Sequence, residues 1–109
     1  MDKPMNTMYN FKFADGSTTE LTLAFYMLYM LKGKNEVLYR RYNASMAKMS
    51  DTKNGYDELE SLVILYTAYV CAHISDMENL MSEEEFLMKC GSDRIAVANA
   101  VKALVQPKN

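Results

Sequence analysis

Apolar positions change rhythm once along this chain. Near the start they alternate, with Tyr9, Phe11 and Phe13 separated by Asn10 and Lys12, a period of two that predicts a half-buried strand. Ala14-Asp15-Gly16-Ser17 follows, and Asp-Gly between alternating runs is a strong hairpin signal. Thr19, Leu21 and Leu23 then form one face of a second strand, against Thr18, Glu20 and Thr22 on the other. A two-stranded hairpin is marginal alone and needs a helix to lie on.

From Ala24 the runs become helical. Ala24 to Leu31 is dense in Phe, Tyr, Met and Leu without a β-branched residue, which predicts a short helix capped by Thr22. Lys32-Gly33-Lys34 is expected to end it, with Gly33 in a left-handed cap. Asn35 should cap a second helix whose inner side carries Val37, Leu38, Tyr42, Met46 and Met49, with Arg40, Arg41, Asn43 and Lys48 facing out. Ser50 to Gly55 reads as a flexible polar loop. Tyr56 to Ile74 is the organising stretch: acids in its first turn, then no formal charge until Asp76. A helix apolar nearly all round must be enclosed by other elements or by a partner.

Ser82 and Glu85 form a capping box ahead of Phe86, Leu87 and Cys90, and Gly91 closes that helix. Ser92 or Asp93 caps the last one, carrying Ile95, Ala98, Val101, Leu104 and Val105 up to Pro107. The expected architecture is mainly α: an N-terminal β-hairpin followed by about five helices packed as a small bundle. Residues 1–7 read as a flexible leader and 8–109 as a single domain, since 109 residues hold one core and not two.

Composition narrows the function. The formal charge of −2 supplies no basic field for nucleic acid. Two cysteines make no disulfide framework. The N-terminus lacks the apolar core of a signal peptide, and Ser61 to Ser75, the longest uncharged run, is too short and too polar to span a bilayer. A cytoplasmic protein is expected.

Catalytic chemistry finds few candidates. His73 and Cys71, two apart on a helix, point to different faces and lack the further ligands of a metal site. Either cysteine would need a cleft and an orienting third group to act as a nucleophile with His73. Glu83-Glu84-Glu85 is explained by capping. No catalytic residue, cofactor or metal is expected. What stands out is soft apolar surface: ten Met and eight Tyr without a Trp. Met fills irregular gaps and suits surfaces that repack, and Tyr gives contact area at low entropy cost.

The segments Phe11-Lys12-Phe13-Ala14-Asp15-Gly16, Leu38-Tyr39-Arg40-Arg41-Tyr42-Asn43, Ile64 to Ala72 and Ser82-Glu83-Glu84-Glu85-Phe86, with Asp93-Arg94, carry a resemblance. From about residue 8 onward the chain resembles the small tail assembly chaperones of long-tailed phages and prophages of Gram-positive bacteria. The resemblance implies a non-enzymatic protein of the host bacterial cytoplasm, absent from the mature virion. Its partners would be the tape measure protein, which it keeps soluble, and the tail tube protein, whose subunits it helps recruit. A long helical chain with apolar stripes fits a groove lined by Met, Tyr and Leu. Phe25, Met27, Tyr29, Met30, Tyr66, Tyr69 and Val70 are the expected partner-binding residues. Self-association is also expected, because so short a chain has more apolar helical face than it can hide.

Two other classes compete with this reading. A small helical regulatory or adaptor protein would need a basic recognition helix or a partner motif, and neither is present. A minor structural tail protein would remain in purified particles, where a chaperone would not.

Overall fold

The computed structural model describes residues 8–50 and 58–105. The expected leader, most of the polar loop, the first two residues of the expected central helix and the terminal tail with Pro107 lie outside them. Strands β1 (Tyr9–Lys12) and β2 (Thr18–Leu21) are followed by α1 (Phe25–Lys34), α2 (Glu36–Ser50) and α3 (Glu58–Ala72). A 3-10 segment (Ile74–Asn79), α4 (Glu83–Cys90) and α5 (Arg94–Val105) complete the chain. The expected class, mainly α with an N-terminal hairpin, is the one observed. Among the described residues no helix is long and apolar enough to cross a membrane.

The hairpin is antiparallel, with Phe11 opposite Thr19 and Tyr9 opposite Leu21. Gly16 takes φ +93 at the turn, and the Asp15 carboxylate accepts both the Ser17 N–H and the Ser17 hydroxyl. Phe11, Phe13 and Leu21 point into the core, as the alternation requires. Thr22 departs from it, being buried: its N–H donates to the Ala68 carbonyl in the middle of α3. The end of β2 is thereby pinned against the central helix.

α3 packs against α1, α2, α4, α5 and β2, which is how so apolar a helix is covered. Ile64, Leu65, Ala68, Tyr69, Val70 and Cys71 on it are buried. Phe86 of α4 is fully enclosed and meets Phe13, Tyr66 and Tyr69 edge-on or tilted, with ring centroids 5.2–5.5 Å apart. Charged pairs tie the outer surface together. Arg41 of α2 grips Glu83 at the start of α4 with two bonds of 2.7 and 2.8 Å. Arg94 of α5 reaches Glu58 of α3, and Glu60 of α3 takes the Ser45 hydroxyl and Lys48 from α2.

Helix ends follow local chemistry with two exceptions. Asn35 accepts the Leu38 N–H, Ser82 and Glu85 form the reciprocal box, and Asp93 accepts the Ala96 N–H. Thr22 does not cap α1; its hydroxyl accepts the Ala24 N–H instead, a local turn. Gly33 does not end α1 either. The helix runs on to Lys34, and the Asn35 N–H bonds back to the Leu31 carbonyl. Two predicted faces also need correcting. Val37 is exposed, and α5 buries Val97, Ala100 and Val101 while Ile95 points outward.

Candidate docking face

α1 forms because none of its residues is β-branched and its two cations sit in the last turn, beside the free carbonyls. Leu31 is fully buried, and Met27, Leu28 and Met30 pack half-buried against the core. Since the helix is apolar on every side, the opposite side is apolar too. Phe25 is 89% exposed, Tyr29 72% and Tyr26 66%. The rings of Tyr26 and Tyr29 lie stacked with centroids 6.2 Å apart.

Phe25, Tyr29 and Gly33 stand four residues apart, so they form one row along the helix, with Tyr26 and Lys32 beside it. Lys32 leans toward the Tyr39 ring, 5.8 Å from its centroid. Three large aromatic side chains adjacent on an exposed helix face make a contiguous apolar patch, the kind of surface that marks an interaction site.

The seven residues expected to bind a partner divide three ways. Phe25 and Tyr29 are on the open face. Met27, Met30 and Tyr66 are half-buried, and the Tyr66 hydroxyl donates to the Met81 carbonyl at 2.9 Å. Tyr69 and Val70 are core residues, 5% and 1% exposed, and offer no surface in this conformation. Tyr69 lies against Phe86 of α4, and α3 as a whole is enclosed by α1, α2, α4, α5 and β2. Tyr26 is the residue the sequence reading passed over. Its spacing of three from Tyr29 was the available signal.

The groups considered for chemistry are occupied structurally. His73 is half-buried with Nδ1 2.9 Å from the Tyr69 carbonyl oxygen, its ring 4.9 Å from that of Tyr69. Burial pushes the Cys71 thiol up to about 12 and the Cys90 thiol up to about 11. Glu83 is held below the usual glutamate range by its bond from Arg41, and Glu85 belongs to the capping box. Among the described residues no group of three His, Cys, Asp or Glu side chains could hold a metal ion.

Depressions also mark the surface of the described residues. One of about 580 Å³ lies between Lys34 and the 3-10 segment, lined by Asp76 and Glu78. Another, about 670 Å³, lies along α4 between Glu83, Leu87 and Met88.

No family model, curated protein or solved structure matches this chain.

Proposed function

We propose that this chain is a non-enzymatic tail assembly chaperone of a long-tailed phage or prophage. It binds apolar stripes of the helical tape measure protein before the tail is complete and assists assembly of the tail tube. The observation that carries the reading is the exposed aromatic face of α1, where Phe25, Tyr26 and Tyr29 lie side by side. An amphipathic helix laid along it would cover both its own apolar stripe and that face. The resemblance of the hairpin, α2, α3 and α4 segments to that family supports the same reading.

Aromatic side chains suit a chaperone because they give large contact area while tolerating varied neighbours. The face is rigidly backed, since Leu31 and the half-buried Met27, Leu28 and Met30 anchor the other side of the helix. Such a protein acts in the host cytoplasm and leaves before the virion is finished. Co-expression with the tape measure protein of the same genome tests the proposal. The expected result is a marked gain in soluble tape measure protein and its co-purification with this chain. Equal insolubility with and without the chain overturns it.

A further inference from the structure

The outer row of α1 is complementary to itself. It runs Phe25, Tyr29, Gly33: a large ring at one end, a ring in the middle, and no side chain at the other end. Around Gly33 the space is open, since a Cβ built there meets no heavy atom within 4 Å. Its φ lies outside the left-handed region, so nothing inside the fold requires glycine at that place. Glycine is a poor helix former, and here it leaves a gap on the face that carries the exposed rings.

We infer that α1 pairs with α1 of a second copy, antiparallel about a two-fold axis at Tyr29, with each Phe25 ring seated on the partner copy's Gly33. Phe25 and Gly33 each stand four residues from Tyr29, about 6 Å along the helix. Antiparallel alignment at Tyr29 therefore brings the ring of one copy to the gap of the other, twice. That reciprocity is what a closed two-fold interface needs.

Charge and area agree with this arrangement. A parallel pairing would set Lys32 and Lys34 against their own copies, whereas the antiparallel one separates the two Lys32 positions by about 9 Å along the axis. At full burial of 150–250 Å² per aromatic side chain, the exposed parts of the three rings amount to roughly 350–550 Å² per copy. A standard interface takes about 800 Å² from each partner, so the rings supply roughly 45–70 % of that, and the dimer is reversible, not obligate. The pairing does not rest on the chaperone reading, but it covers the same three rings, so a second copy and a client helix would compete for this face.

Sedimentation velocity on the full chain, from about 1 µM to about 1 mM, reads the association. The expected result is a shift from monomer to dimer with no larger species. Gly33→Gln fills the gap without touching a ring and, by replacing glycine within a helix, should leave the monomer at least as stable to melting, yet it should hold the protein monomeric throughout. Tyr29→Cys, lying on the axis, should give a covalent dimer under mild oxidation, whereas Lys34→Cys should not; the native Cys71 and Cys90 are buried and silent. A wild-type monomer at every concentration, a dimer indifferent to Gly33→Gln, or growth beyond the dimer overturns the inference.

Discussion

The Tyr69 hydroxyl accepts the Met81 N–H at 2.8 Å, clamping the segment before α4 onto the central helix. Tyr66, one turn earlier on α3, donates to the carbonyl of the same residue at 2.9 Å. Two tyrosines thus satisfy both backbone groups of one loop residue, and both of their rings meet Phe86. Removing the Tyr69 hydroxyl leaves the Met81 N–H without its acceptor. Tyr69→Phe is expected to cost about 1–3 kcal/mol, read as a fall in thermal midpoint of about 4–8 °C per kcal/mol. Tyr66→Phe should cost less, since a carbonyl tolerates loss of a donor better than an N–H tolerates loss of its acceptor.

Two glycines predict opposite outcomes. Gly91 ends α4 at φ +64 and ψ −137, and a Cβ there would lie 2.9 Å from the Ala14 side chain. Ala14 is itself bonded to the Lys89 carbonyl, so the turn of the hairpin cannot simply move away. Gly91→Ala should therefore destabilise by at least about 1–3 kcal/mol. Gly33→Ala meets open space in ordinary helix and should stabilise the monomer by up to about 1 kcal/mol. Denaturant unfolding at low protein concentration compares the two.

Local signals and the alternation of the hairpin were legible before the fold was known, whereas the inner face of a helix that is apolar nearly all round was not. The Ser82–Glu85 box, the Asn35 cap and the Asp15-Gly16 turn each rest on residues within three positions of one another, and all form. α5 shows the limit. Ile95, Val97, Ala98, Ala100, Val101, Leu104 and Val105 wrap most of the helix, so periodicity does not choose the inner face. Packing against α3 and β1 turns Val97 and Ala100 inward and leaves Ile95 75% exposed.

The expected docking residues divide for the same reason. Tyr69 and Val70 are as apolar as Phe25 and Tyr29, and only the packing of the other elements around α3 separates the enclosed pair from the open one. Ser45 had no apolar signal at all, yet it is buried because Glu60 accepts its hydroxyl.

Acid should weaken the fold through three carboxylates. Glu83 is lowered by its bond from Arg41, Glu60 by the Ser45 hydroxyl and then Lys48, and Asp15 by Ser17. Each binds its proton less readily when folded than when unfolded. The contribution of Glu83 and Glu60 is therefore full above the ordinary glutamate value of 4.5, that of Asp15 above the ordinary aspartate value of 3.8, and each is lost as pH falls through the lower folded value. The thermal midpoint should hold from neutral pH to the glutamate value and fall below it, and Glu83→Gln should lower the plateau and flatten the decline.

Thiol reactivity should report opening of the core. With Cys71 near 12 and Cys90 near 11, both buried, neither forms thiolate readily in the folded chain. Native protein at about pH 8 should react with a thiol reagent far more slowly than denatured protein, the two sites becoming available as the molecule unfolds. Rapid labelling of either cysteine in the native state would contradict the enclosed α3–α4 core.

The most direct test of the proposed role is the soluble yield of tape measure protein when co-expressed with wild-type chain or with the Phe25→Ser, Tyr29→Ser double variant. Both rings are exposed, so the variant should fold with stability within about 0.5 kcal/mol per site of wild type. Wild-type chain should rescue the tape measure protein and the folded variant should not. Equal rescue by the two would place the client elsewhere on the molecule and contradict the account.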